Sequence, residues 1–201
     1  MKKKMALIML GFGLIMTITV GGTYAVFQAD GEAVTTQMTT TSLDISLEGS
    51  RSQIQFDNLV AGQPISKQLS VKNTKETPLY TRVTIKKYWL NANNEKDFDA
   101  SSSQIKLNYN QKEWLRASND ENGEEVVLYY KNALAQNQKT ENFLESIVVP
   151  KDLGNADQGK KFALDIRVDA IQAYNVKDAM LNQWGVLANV DQNGLISKIE
   201  R

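Results

Sequence analysis

Phe162-Ala163-Leu164-Asp165-Ile166-Arg167-Val168-Asp169-Ala170 is the longest strict alternation in the chain. Phe162, Leu164, Ile166, Val168 and Ala170 fall on one side, and Asp165, Arg167 and Asp169 on the other. Side chains alternate across a strand, so this period describes a strand with one face in a core and one turned away from it.

The same period recurs upstream. Leu43, Ile45 and Leu47 alternate with Asp44 and Ser46. Ile54 and Phe56 begin a second short strand, and Ile65, Leu69 and Val71 share one side of a third. Leu79, Thr81, Val83 and Ile85 face one way and Tyr80, Arg82, Thr84 and Lys86 the other, with Tyr88 and Trp89 closing that strand. After a polar insertion from Asn91 to Ser103 come Ile105, Leu107 and Tyr109, then Trp114 and Leu115, then the strongly apolar Val126 to Tyr130. Phe143, Ile147 and Val149 suggest one more strand, stopped by Pro150. Turn residues separate them: Gly49-Ser50, the Asn58 to Pro64 loop, Asn73 to Pro78, and Asp120-Glu121-Asn122-Gly123 as a hairpin signal.

One helix is expected, from Asn175 to Gly185, with Asn175 as cap, Asp178 in the first turn and Gly185 as stop. It is too short to stand undocked. Ala179, Met180, Gln183 and Trp184 offer a docking side, and the tail after Val186 is weakly patterned. Some eight short strands and one small C-terminal helix predict an all-β antiparallel sandwich in a single domain, residues 42–201.

The N-terminus reads differently. Lys2, Lys3 and Lys4 precede an apolar run from Met5 to Val20, then Gly21-Gly22-Thr23-Tyr24-Ala25. A positive start, an apolar middle and small residues at Thr23 and Ala25 describe a secretory signal peptide, residues 1–25, cut between Ala25 and Val26. The alternative is an uncleaved anchor, the run being just long enough if Gly21 to Val26 is counted. Both put the rest of the chain outside the cytoplasm, with a membrane contact only before cleavage on the first reading. Residues 26–41 then form a polar arm rich in Thr, Gln and Ala that reads as unattached to the core of its own domain.

Composition excludes several classes of chemistry. The 201 residues include 23 basic and 23 acidic side chains, no His and no Cys. Without its first 25 residues the chain is mildly acidic and has no long basic run, so nucleic acid is not an expected partner. No disulfide can staple it, and hydrophobic packing must hold it. Neither a Cys nucleophile nor a His base is available, and a metal would have to rest on carboxylates. No catalytic motif and no cofactor site is legible.

Asp165 and Asp169, with Arg167 between them, read as a solvated, charge-balanced face rather than a glycosidase pair. Asp191-Gln192-Asn193-Gly194 reads as a turn and not as a calcium loop, since its Gly comes too early. The acidic turn from Asp120 to Glu125 reads as a solvated hairpin. Trp89, Trp114 and Trp184 could form a glycan platform but are read as packing residues.

The basic start, the apolar run, Gly21-Gly22-Thr23-Tyr24-Ala25-Val26-Phe27 and the threonine-rich lead into Thr41-Ser42-Leu43-Asp44-Ile45-Ser46-Leu47 resemble the TasA/camelysin family of exported Gram-positive proteins. The likeness continues from Phe56 to Lys67 and at Val71-Lys72-Asn73-Thr74. It fades between Asn91 and Lys160 and returns at Ala170-Ile171-Gln172-Ala173 and Trp184. The resemblance implies a jelly-roll domain, processing by a signal peptidase of SipW type, and assembly into extracellular biofilm-matrix fibres. It implies that the arm, with Val34, Thr36, Met38 and Thr40 as its alternating set, leaves its own domain and adds a strand to the next subunit. The partner would be a second copy, head to tail, or a related matrix fibre protein. Leu79 to Tyr88 is the expected acceptor edge. Camelysin-type members are classed as metalloproteases, but the lack of His and of a zinc motif keeps that activity from being carried over. A different expectation is a cell-surface module that binds wall glycan or a protein and never polymerises.

Overall fold

The structure, a computed structural model, describes residues 26–27, 34–37, 43–46, 51–56, 62–117, 123–149, 151 and 161–200. Thirteen strands and one helix occur among them. Ala25, Met38, Thr40, Leu47, Pro150 and the tip of the Asp120 turn lie outside the described residues.

The strands, in chain order, are β1 (Val26–Phe27), β2 (Val34–Gln37), β3 (Leu43–Ser46), β4 (Arg51–Phe56), β5 (Pro64–Lys72), β6 (Leu79–Leu90), β7 (Lys106–Tyr109), β8 (Trp114–Arg116), β9 (Glu125–Tyr130), β10 (Leu144–Val148), β11 (Lys161–Gln172), β12 (Leu187–Val190) and β13 (Ile196–Glu200). The helix α1 (Val176–Trp184) lies between β11 and β12. A large sheet runs β2-β4-β11-β6-β9-β8, with β1 paired to β11 beyond the end of β4. A smaller sheet runs β3-β5-β10-β7, and β12 and β13 form a separate hairpin.

From β2 to β7 successive strands belong alternately to the large and the small sheet. Two crossings restore the original direction, so β2 lies parallel to β4 and β3 parallel to β5. The other pairings are antiparallel, so the fold is the expected all-β antiparallel one with two parallel pairs at its edges.

The long alternation does what its period predicts. Phe162, Leu164, Ile166, Val168 and Ala170 are buried between the sheets, with Ile54, Phe56, Leu69, Val83, Ile85 and Leu128. Phe162 stacks against Phe56 and Trp89 at ring separations of 5.8 and 5.7 Å. Trp114 packs on Tyr130 and Phe143 in the same core. Buried indole N–H groups need acceptors: Trp89 Nε1 donates to the Ser101 carbonyl at 3.1 Å and Trp114 Nε1 to that of Glu141 at 3.0 Å.

A second core lies on the other face of the large sheet. Tyr80, Val127, Tyr129 and Ile171 project from it against Ala179, Met180 and Trp184 of α1 and against Ala188, Ile196 and Ile199 of the hairpin. The residues after Val186, weakly patterned as sequence, are thus a covering layer. Gly185 ends α1 at φ 65°, with its N–H on Leu181 O at 3.1 Å and Val186 N–H on Met180 O at 3.3 Å, which satisfies carbonyls of the last turn. Two expectations for α1 are corrected. Asn175 is left-handed (φ 47°) and makes no side-chain cap. Gln183 is exposed, because α1 turns only a narrow stripe to the sheet.

Candidate functional site

Three features compete for a functional role: a charged groove on the large sheet, the open side of the sandwich, and the sheet edges.

The groove occupies the part of the large sheet's outer face beside α1, between β6, β9 and β11. Asp169 and Arg82 are cross-strand partners. Arg82 Nε and Nη2 both donate to Asp169 Oδ2, at 3.2 and 2.8 Å. Arg167 donates from Nε to Asp169 Oδ1 at 2.9 Å. Asp169 is 2% exposed, and each of its carboxylate oxygens meets a guanidinium. The Arg82 guanidinium also lies 5.1 Å from the Trp184 ring, so it ties the groove to the second core. Lys86 pairs with Glu125 at 3.3 Å nearby. The charge-balanced reading of this face survives, while the solvated reading is corrected at Asp169, which α1 and its surroundings remove from water. Glu125 and Asp165 line the groove on either side of Lys86, their shared cross-strand partner on β6, so a lysine stands between the two carboxylates.

The open side lies where the small sheet ends in β7 and the large sheet ends in β8. A tight turn joins them, with Trp114 N–H on Asn110 O at 3.0 Å. A groove of about 360 Å³ runs between these strands, lined by Lys87, Lys106 and Arg116 among polar and apolar side chains, and among the described residues no carboxylate lines it. Lys87, on an inward-facing position of β6, donates from Nζ to the Ser103 and Ile105 carbonyls at 3.1 and 2.6 Å. This holds the end of the polar insertion against the sheet.

The edges correct two sequence expectations. Leu79 to Tyr88 falls within β6, which sits between β11 and β9 and has no free edge to accept a strand. The arm, read as unattached, pairs with its own sheet. Val26 and Phe27 face Ile171 and Ala170, and Val34, Thr35, Thr36 and Gln37 run parallel to Ser52, Gln53, Ile54 and Gln55.

Asp191-Gln192-Asn193-Gly194 is the β12–β13 turn. Asp191 Oδ1 accepts from the N–H groups of Asn193 and Leu195, each at 2.8 Å, which occupies it as a turn former. Trp89, Trp114 and Trp184 are all buried and form no platform.

The family model described as camelysin metallo-endopeptidase matches residues 1–148, and the chain belongs to that family. The matched span extends past Asn91 and ends before β11. No curated protein and no solved structure matches the chain. The family's description implies a metal. With no His and no Cys in the sequence, only carboxylates could serve, and among the described residues no group of three or more could hold an ion. These residues do not fit a zinc centre of His or Cys donors.

Sequence reading missed the burial of Asp169 and the cationic groove at Arg116. The first depends on β6 and β11, far apart in the chain, being neighbours, and the second on β7 and β8 belonging to different sheets although one tight turn joins them; no local pattern carries either.

Proposed function

We propose that this TasA-like chain is an exported structural protein, a subunit or accessory of extracellular biofilm-matrix fibres, joined by exchange of the N-terminal arm between copies. The observation that carries this reading is the pairing of β2 with β4. The arm is already a strand added to a sheet edge, joined to it through main chain. The same addition made to another copy would be a head-to-tail contact, and one that does not close on itself propagates as a filament. Family membership supports the reading. A cut between Ala25 and Val26 by a signal peptidase of SipW type would leave β1 whole, since β1 begins at Val26. The protein acts here by assembly and not by peptide hydrolysis.

The test is deletion of Val26 to Thr41, with circular dichroism to check folding and light scattering and electron microscopy to follow assembly. A folded monomer is expected. Continued polymerisation would sink the arm-exchange reading. Chelator-sensitive hydrolysis by the pure protein would overturn the non-enzymatic part, and a native N-terminus at Met1 the processed, released part.

A further inference from the structure

The groove on the open side carries an anomaly that neither fold nor family explains. Arg116 follows Trp114 on the inward-facing side of β8 and lines the groove. Its Nε and Nη2 are sealed from solvent and have no hydrogen-bond acceptor. A guanidinium is a donor at every nitrogen and cannot shed its charge, so leaving two of its nitrogens unmatched is costly. The cost is recovered when an oxyanion enters the groove and the planar fork turns onto it.

The surroundings indicate what kind of oxyanion fits. Lys87 and Lys106 line the same groove, and among the described residues no carboxylate does, so the lining is positive. Lys87 is fixed, with its Nζ on the Ser103 and Ile105 carbonyls at 3.1 and 2.6 Å, while Lys106 is exposed. Gln104 and Gln111, both exposed, add amide groups, and Tyr109 adds a ring partly packed on the first core. About 360 Å³ lies at the small end of the range for small-molecule sites and exceeds what a bare inorganic ion needs. Amides suit hydroxyl groups, and an aromatic ring suits an apolar face beside them. Cation, amides and ring together match an acidic sugar.

We infer that the groove between β7 and β8 binds a small acidic sugar, with Arg116 holding its carboxylate or phosphate and Gln104 and Gln111 its hydroxyl groups. This binding is separate from assembly through the arm and stands whether or not the arm is exchanged.

The test uses the nitrogen-labelled chain from Val26 onward, which includes every described residue. NMR follows the Arg116 Nε–H signal and the Gln104 and Tyr109 amides while glucuronate, a glucose phosphate, glucose or inorganic phosphate is added. Saturable shifts with at least one acidic sugar, and none with glucose, are expected. The tighter of the two acidic sugars shows whether the oxyanion is a carboxylate or a phosphate. Arg116→Gln should weaken that binding about tenfold, as loss of a charge-assisted bond would, while Arg116→Lys retains part of it. Because Nε and Nη2 bond nothing in the free protein, Arg116→Gln should also melt no lower than the parent chain. Circular dichroism shows whether each variant is folded. Undiminished binding in folded Arg116→Gln, or no shift with either acidic sugar, overturns the inference. Equal shifts with glucose remove the role of charge, and inorganic phosphate binding as tightly as the acidic sugars removes the sugar.

Discussion

Asp169 is held by Arg82 and Arg167 in a place water does not reach. Asp169→Asn removes the charge and leaves two guanidinium groups facing a neutral amide. A loss of about 2 to 3 kcal/mol is expected in urea unfolding; a change within experimental error would mean that the fork contributes nothing net. Tyr129 presents the opposite case. Its ring is fully buried against Trp184, at 5.6 Å between centroids, yet its hydroxyl has no partner. Tyr129→Phe should therefore be neutral or stabilising by up to about 1 kcal/mol, and clear destabilisation would show a partner for that hydroxyl. Neither residue could be sorted from sequence. Asp165, Arg167 and Asp169 occupy equivalent places in the alternation, and only the docking of a distant layer makes the last of them a buried group. The inward set from Phe162 to Ala170 was legible because its environment is decided by period alone.

The β12–β13 hairpin hangs on its turn. Gly194 has φ 84°, and an added Cβ would lie 2.8 Å from the Tyr80 hydroxyl, which itself donates to the Gly194 carbonyl at 2.5 Å. Gly194→Ala combines an unfavourable backbone with that clash, and a fall of about 1 to 2 kcal/mol is expected. Amide exchange should show the hairpin opening before the sandwich does. The polar insertion is clasped differently. Glu124 bonds Lys96 at 3.2 Å and faces the Ser102 N–H at 3.5 Å. Burial works to raise the carboxyl's pKa, but the bonds to Lys96 and Ser102 prevail and hold it below the usual value. The clasp is therefore complete above the ordinary glutamate range and is lost as pH falls through the lowered value. Glu124→Gln should cost at most about 1 kcal/mol, because both partners are half exposed. It should also remove the acid-dependent exchange of the Ser102 amide; persistence of that dependence in the variant would assign it to another group. The Asp191 to Gly194 turn was readable in the sequence, yet β12 and β13 were not. Their period is broken by a bulge between Asn189 and Val190, and their buried set is sparse.

The whole molecule should fail in alkali. Tyr80 and Tyr130 both have raised pKa values, chiefly from burial; the charge of Asp191 adds to the first, while in the second a hydrogen bond to the Glu141 backbone works the other way and the charges of Glu113 and Glu141 add. The folded state keeps these protons after the unfolded chain has begun to lose them, so stability is full below the ordinary tyrosine pKa and falls as pH climbs above it. Thermal melts from pH 8 upward should hold level and then decline past about pH 10, less steeply for Tyr80→Phe; an unchanged slope would remove Tyr80 from the account. At this scale most of the strands were legible and their order was not. Alternation assigns a residue to a face, whereas sheet order is decided by which strand reaches which edge. That order has a consequence in time. β11 sits between β4 and β6 and supplies the middle of both cores, yet it is among the last strands to be made. As the chain emerges from its N-terminus, β4 and β6 wait with their facing edges open, and no earlier strand fills the gap. A product ending before Lys161 has no centre to close around. The native sheet therefore forms only near the end of synthesis, as the keystone strand drops into place, and until then the growing chain depends on being kept from pairing with its neighbours.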